Sequence, residues 1–401
     1  VDYENYLARF GLAAFRPGQR EVVDAVMAGR DCLCIMPTGG GKSLCFQLPA
    51  LARTGVTIVI SPLIALMKDQ VDALLRRQIP ATFINSSLDH AERSQRTQDM
   101  IRGRYALVYV APERLRSASF LEAVRQATVG LLAIDEAHCI SQWGHDFRPD
   151  FGRLGRFRRR IGSPQTIALT ATATRIVRED IAQVLELRGP ATFVSGFARD
   201  NLALRVETPA SNAEKDARVV EYVTQASGSG IVYAATRKSC EHLVELIRAH
   251  SKRSAAFYHA GMEPEQRKRI QEMFMADQLP LIVATNAFGM GIDKRELRFV
   301  VHYNLPGSIE AYYQEAGRAG RDGQPAECVL LYSYQDRFIQ EFFIENAYPT
   351  REIVRDVFDL LKSYETDPIE LTLQEIKEEL QTSIGTEGIR VCETLLEKAG
   401  A

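Results

Sequence analysis

Three short segments hold residue types whose spacing suits phosphate chemistry. Met36-Pro37-Thr38-Gly39-Gly40-Gly41-Lys42-Ser43 sets a run of glycines before a lysine and a hydroxyl residue. Glycines let backbone N–H groups close around phosphate oxygens. In such a loop the lysine reaches the β- and γ-phosphates and the hydroxyl ligates Mg²⁺. Met36 stands where the general pattern has its first glycine, and a Gly-rich turn with a surface lysine is the competing reading. Leu131–His138 is an apolar run ending in Asp135 and Glu136. Acids at the C-terminal end of a parallel strand suit Mg²⁺ work. Asp135 is expected to hold the ion through water, and Glu136 to orient or deprotonate the attacking water. The bland alternative is that both acids cap the following helix. His138 either contacts the γ-phosphate region or hydrogen-bonds locally. In Gln314–Gly323, Arg318 and Arg321 are three residues apart, so a helical turn places both on one face. Supplied from a second domain, such a pair stabilises the charge of phosphoryl transfer. The three segments together predict ATP with Mg²⁺, bound between two domains.

Several elements must place these residues. β-Branched runs at Cys32–Met36, Val56–Ser61, Leu107–Val110, Gly130–Ile134 and Thr166–Thr170 read as strands. Helical patterns such as Leu63–Arg77 and Ser119–Gln126 separate them, which is an α/β pattern with a mostly parallel sheet. A seam rich in Gly, Pro and Ser follows near Leu187–Phe197. The pattern then restarts, with strands at Gly230–Tyr233, Ser254–Tyr258, Leu281–Ala284, Phe299–His302 and Cys328–Leu331, and helices at Lys238–His250 and Pro264–Phe274. The tail reads as helices Arg351–Tyr364, Leu373–Leu380 and Glu387–Lys398, a small helical or partial winged-helix module. The expected division is 1–196, 197–345 and 346–401. Two tandem α/β domains leave a cleft between them, a common place for a ligand.

Composition excludes other classes. The 401 residues are 46% apolar and 25% charged, which rules out disorder as the dominant state. The formal net charge of -2 is a sum of unlike parts: residues 341–401 carry 14 acids and 6 bases, and the rest 37 acids and 43 bases. The body is therefore mildly basic, as a phosphate-backbone channel requires. No run of 18 apolar residues reads as a membrane span. The opening VDYENYLARFG has no signal-peptide core, and the missing initiator Met reads as a trimmed or internal start. The seven cysteines are odd in number and sit in apolar contexts. A reducing, intracellular setting is expected, without a disulfide framework or a local four-cysteine zinc site.

In motif order, residues 10 to about 335 resemble the RecQ DNA helicase family of superfamily 2, and Phe15-Arg16-Pro17-Gly18-Gln19 is the first motif. The resemblance implies two RecA-like motor domains, with Gln19 reading the adenine edge and Phe15 and Arg16 supporting the base. Ser61–Gln70, which includes Lys68, and Ala111–Leu115, which includes Arg114, resemble the motifs that track the DNA backbone. Leu169–Thr174 resembles the motif that couples hydrolysis to domain movement. The most family-specific piece is Cys139–Phe151, directly after His138. It resembles an aromatic-rich loop that reports DNA occupancy to the ATP site, with Trp143, Phe147 and Phe151 beside Arg148 and a run of arginines to Arg160. Aromatics stack on unpaired bases and arginines hold phosphate. Val283–Lys294 resembles a motif touching both DNA and nucleotide, with Thr285 on the DNA side and Asp293 as a ribose or arginine partner. Tyr233–Arg237 and Tyr258–Met262 resemble backbone-gripping elements, with Thr236, Arg237 and His259.

The function implied is an ATP-dependent helicase that moves on single-stranded DNA, 3′ to 5′, and unwinds tailed or forked duplexes in repair or recombination. It would work as a monomer without a membrane partner, in the cytoplasm or on the nucleoid if the source is bacterial. Competing readings are an RNA helicase, a DNA-stimulated translocase without robust unwinding, and a non-enzymatic DNA-binding module. The sequence departs from the family after the second motor domain. Only Cys392 follows Cys328, so the usual four-cysteine zinc platform cannot be built and no zinc is expected.

Overall fold

Parallel strands buried on both faces read as short, continuous apolar runs, and this is the pattern that organises the chain. In the computed structural model, residues 2–37, 39–62, 64–141, 148, 150–196, 199–289, 294–364, 371–382 and 384–399 are described. The first sheet has seven strands: β1 Cys32–Ile35, β2 Val56–Ile60, β3 Ala81–Ile84, β4 Leu107–Val110, β5 Val129–Ile134, β6 Thr166–Thr170 and β7 Ala191–Val194. Their order is β3-β4-β2-β5-β6-β1-β7, with every pairing parallel. The second sheet holds β8 Leu202–Glu207, β9 Ser229–Tyr233, β10 Ala255–Tyr258, β11 Leu281–Ala284, β12 Leu297–His302 and β13 Ala326–Leu331. Its order is β10-β11-β9-β12-β13-β8, again all parallel. These are the two RecA-like domains.

Each sheet is covered by helices on both faces, so each domain has two cores. In the first, Val22, Phe46, Met67 and Tyr109 fill one side, and Ile58, Phe120, Phe151 and Leu154 the other. Because the strands run parallel, the loops after β1, β2, β4, β5 and β6 all leave from one edge. That edge is where ligands bind in open α/β sheets.

Three strands escape the sequence pattern. β3 and β7 are four residues long, and β7 lies inside the expected seam. β8 is an edge strand whose apolar run is broken by Arg205, with Leu204 and Val206 exposed. The helix Asp336–Ala347 likewise lies outside the expected elements, and the expected boundary at 345/346 falls within it. Asp336 ties its start to the second domain: Lys215 Nζ donates to both carboxylate oxygens at 2.9 Å, and Asn304 Nδ2 to one at 2.8 Å. Near its end, Asn346 Oδ1 accepts the Gly385 N–H at 2.7 Å. The helices Arg351–Ser363, Leu373–Leu380 and Thr386–Ala399 close on a core of Val357, Ile376, Ile384, Ile389 and Cys392. A Thr372/Glu375 capping box starts the middle one.

The arginine run after the aromatic loop is not uniformly solvated. Arg158 is buried, ion-paired with Asp31 at 2.7 Å, and also donates to Thr166 Oγ1 and the Leu185 carbonyl. No described helix is long and apolar enough to cross a membrane.

Candidate active site

The loop after β1 and the acids after β5 face the second domain across a cavity of about 440 Å³. Its walls bring together Arg16, Gln19, Gly39, Gly41, Lys42, Ser43, Asp135 and Glu136 with Gln314, Arg318 and Arg321. The three phosphate-chemistry segments, far apart in sequence, therefore meet in one space.

The phosphate loop is shaped by its glycines. Gly39 and Gly41 have φ of +80° and +77°, a region L side chains avoid. A β-carbon on Gly41 would also collide with Gln19 Nε2. The loop is closed on itself. Lys42 Nζ donates to the Met36 carbonyl at 3.1 Å, and Arg16 Nη1 donates to the Gly39 carbonyl. Gln19, 2% exposed, donates to the Gly41 carbonyl at 2.9 Å and accepts the Arg16 N–H at 2.7 Å. Its amide thus braces the loop from below. Thr38 lies outside the described residues.

Glu136 adopts a left-handed conformation, φ +49°, a strain of about 1–3 kcal/mol of the kind held at functional sites. Its Oε2 is buried without a hydrogen-bond partner and lies 3.4 Å from His138 Nδ1. His138 is buried, and its Nδ1 sits 2.9 Å from Thr170 Oγ1. The Thr170 hydroxyl donates to the Thr172 carbonyl at 3.0 Å, so it accepts from an Nδ1–H. His138 thereby connects the acid pair to the threonine-rich end of β6. Burial first, and then Glu136, push the Asp135 carboxyl up to about 7. That places two carboxylates and a hydroxyl, Ser43, where a divalent cation would relieve their crowding.

Arg318 is 5% exposed. A β-carbon on Gly289 would sit 3.2 Å from its Nη2, so the glycine gives the guanidinium its channel. Arg321 lies over the phosphate loop, its Cγ 3.5 Å from where a Gly39 β-carbon would stand. Sequence reasoning missed Arg199, in the connector between the sheets. Its guanidinium donates to the carbonyls of Gly317, Ala319 and Gly320 at 3.3, 3.0 and 2.6 Å, clamping the turn that carries the arginine pair. The one available signal was an arginine placed directly after the seam.

At the base end of the cavity, Phe15 corrects an expectation. It does not line the cleft; its ring packs edge-on against Tyr3 at 5.5 Å, beside the core. The apolar lining there comes from Phe10, Leu12 and Ala14. The Phe15 ring is held by its edge-on contact with Tyr3, which leaves the cleft to its neighbours in the chain.

Several of the expected nucleic-acid residues that are described follow the C-terminal ends of strands. Lys68 is exposed on the helix Ile64–Arg76, and Arg114 is half-buried in the turn Pro112–Arg116. Thr236 caps the helix Arg237–His250, its hydroxyl accepting the Ser239 N–H at 3.1 Å. Arg237 is exposed against Gly261. His259 is buried, stacked on Phe257 at 5.3 Å, with Nε2 3.2 Å from Glu241. Thr285 follows β11 and accepts the Ala287 N–H at 3.4 Å. Arg148 reaches back across the domain, its Nη1 donating to the Pro62 carbonyl at 3.1 Å, and so joins the end of the aromatic segment to the first strand-tracking motif. Trp143, Phe147 and Asp293 lie outside the described residues. Phe151, expected at the DNA, is 0% exposed and belongs to the core. A ring buried on every side cannot stack on a base. Among the described residues, no group of three His, Cys, Asp or Glu is arranged to hold a metal ion, and all seven cysteines are buried free thiols.

Comparison with known proteins adds a lineage to this geometry. Residues 16–180 match the DEAD/DEAH box helicase family model, and residues 214–323 match the helicase conserved C-terminal domain. The chain is 43% identical over 357 residues to the Bacillus subtilis protein described as "Probable ATP-dependent DNA helicase RecS", covering 89% of this chain and 72% of that one. It is 49% identical over 341 residues to the "ATP-dependent DNA helicase RecQ" of the same organism, covering 84% and 57%. Against that RecQ and the Pasteurella multocida RecQ, this chain spans little more than half their length. Among solved structures, the Mycobacterium smegmatis helicase Lhr bound to single-stranded DNA and AMP-PNP superposes with a TM-score of 0.63 at 21% identity, over 98% of this chain and 57% of that one. The Saccharomyces cerevisiae Dbp5 bound to RNA and ADP–BeF3 gives 0.66 at 17% identity, over 86% and 90%. At these identities the likeness is one of fold.

Proposed function

We propose that this chain, which belongs to the RecQ family of superfamily 2 DNA helicases, is an ATP-driven motor that moves along single-stranded DNA and unwinds tailed or forked duplexes. One observation carries the reading: a single cavity is lined by a glycine-rich phosphate loop, a carboxylate pair and two arginines from the opposite domain.

The mechanism follows from these side chains. Lys42 leaves the Met36 carbonyl and takes the β- and γ-phosphates, and the backbone N–H groups of the glycine loop cradle the remaining oxygens. Ser43 and Asp135 would hold Mg²⁺, which would offset phosphate charge. Glu136, with one buried oxygen unpartnered, accepts a hydrogen bond from the attacking water and holds it in line. Arg318 and Arg321 close over the γ-phosphate from the second domain and stabilise charge in the transition state. Their withdrawal after hydrolysis opens the cleft. Because Lys68 and Arg114 sit on one domain and Thr236, Arg237, His259 and Thr285 on the other, opening and closing moves one set of strand contacts relative to the other. Trp143 and Phe147, with Arg148, report strand occupancy to the acids through His138.

The motor domains are assigned to 1–196 and 197–345, with 346–401 as an appended helical module. The motor works as a monomer, moves 3′ to 5′ in repair or recombination, and acts inside the cell, in the cytoplasm or on the nucleoid of a bacterium. Unwinding of 3′-tailed against 5′-tailed duplexes, with ATP hydrolysis followed alongside, tests the reading. Unwinding of the 3′-tailed substrate, abolished by Lys42→Ala, is expected. Stronger stimulation of hydrolysis by RNA than by matched single-stranded DNA would overturn it.

A further inference from the structure

Two helices of the first domain share the core through Met100, Phe120, Ala123 and Val124 and leave a largely polar groove beside that contact. In the helix His90–Ile101, His90, Arg93, Ser94 and Thr97 recur at three- and four-residue spacing and so share a face. They look toward Ser117 and Ser119, at the start of the helix Ala118–Gln126. Between the helices lies a cavity of about 530 Å³, and Arg114 closes it from the turn after β4.

The two arginines are fixed in place but chemically incomplete. Arg93 Nη2 donates to the Leu88 carbonyl at 2.6 Å, and the Arg114 guanidinium lies 5.9 Å from the centre of the Phe120 ring. The Nε of each is buried without a hydrogen-bond partner. The acid in the cavity wall, Glu122, is turned to Arg125 at 3.8 Å and Gln126 at 3.5 Å. Burial, and then the Arg93 charge, lower the Arg114 pKa. Two like charges with unsatisfied buried donors are costly unless an anion completes them. Guanidinium pairs flanked by hydroxyls complement the oxygens of a phosphate group.

The cavity also has a position. Arg114, in the turn after the outer strand β4, forms part of its wall, and Lys68 lies on the helix after the neighbouring β2. On the nucleic-acid reading above, a strand held by Lys68 and Arg114 reaches this wall.

We propose that Arg93 and Arg114 form a pocket for one phosphate group, presented by the backbone of the bound strand as it passes the outer edge of the first domain. This rests on the nucleic-acid reading above and adds Arg93 and the interhelical pocket to it.

Binding of a fluorescently labelled single-stranded oligonucleotide, followed by anisotropy from about 50 to 200 mM salt, tests the pocket. Arg93→Ala is expected to weaken binding several-fold at the lowest salt. It should also reduce the slope of log K against log salt by about 0.7, the share of one phosphate on a single strand. Arg93→Lys, which keeps the charge and the apolar stem, should retain the slope with weaker affinity. Arg102→Ala, at the C-cap of that helix with its side chain 58% exposed, should match the unaltered protein. A second arm measures thermal stabilisation by inorganic phosphate against chloride at matched ionic strength. Stabilisation lost in Arg93→Ala with an unchanged DNA slope would identify free phosphate as the source. Unchanged behaviour of Arg93→Ala in both arms overturns the pocket. An unaltered protein that binds no DNA at all would overturn the helicase reading instead, while the phosphate arm would still report on the pocket.

Discussion

Arg199 Nη2 donates to the Gly320 carbonyl at 2.6 Å, so a residue of the interdomain connector grips the turn that presents Arg318 and Arg321. The same guanidinium reaches toward the phosphate loop, with Nη1 3.7 Å from where a Gly39 β-carbon would stand. Connector, arginine turn and phosphate loop therefore form one contact. Arg199→Ala should lower kcat for ATP roughly tenfold, about 1.4 kcal/mol of barrier, with a smaller change in KM. Arg199→Lys should recover part of the loss. Steady-state hydrolysis at saturating DNA measures both. A rise in KM at constant kcat would show that Arg199 does not position the arginine turn.

The base end of the cavity separates two neighbouring residues. Leu12 lines the cleft, whereas Phe15 packs on Tyr3. Leu12→Ala is expected to raise KM for ATP several-fold with little effect on the melting temperature. Phe15→Ala should do the reverse, lowering stability by about 1–3 kcal/mol for a partly buried ring. Paired thermal melts and hydrolysis curves distinguish them.

Phe151 and Trp143, both expected at the DNA, carry separate predictions. Phe151 is fully buried, so Phe151→Ala should cost about 3–5 kcal/mol in denaturant unfolding. Trp143→Ala should leave the unfolding midpoint in place and reduce DNA stimulation of hydrolysis before it reduces basal turnover. A Trp143→Ala protein with normal stimulation would remove that residue from the coupling path.

The Lys215–Asp336 pair joins the second domain to the helix Asp336–Ala347 with both side chains buried. Asp336→Ala leaves a buried ammonium without its partner and should destabilise by about 3–5 kcal/mol. Limited proteolysis is expected to cut first between the second sheet and the terminal helices. Replacing both residues with apolar ones of similar size should restore much of the loss, as measured by the same digestion.

Elements whose signals are local were legible in the amino-acid sequence. A run of glycines before Lys42 imposes a phosphate loop because conformation and N–H direction are decided within a few residues. Apolar runs ending in Asp135 and Glu136, or in Thr170, read as buried parallel strands with functional ends because both sheet faces are covered. The three-residue spacing of Arg318 and Arg321 reads as a helical face, but the helix Ile309–Ala316 ends before them and both stand in the turn that follows, where Gly320 has φ of +62°. Contacts that depend on strand order emerge only in the folded chain. Arg199 meets Gly317–Gly320 across more than a hundred residues, and Arg148 meets Pro62 across 86. Arg158 finds Asp31 across 127. Phe151 carries the aromatic signal of a base-stacking residue, yet it lies in the core because the helix Leu154–Arg160 packs its segment against the sheet. Phe15 is drawn from the cleft by Tyr3, on the opposite face of that sheet. A side chain's type limits what it can contact, but which of several equivalent residues is buried and which faces the ligand is settled by the packing of elements distant in the chain.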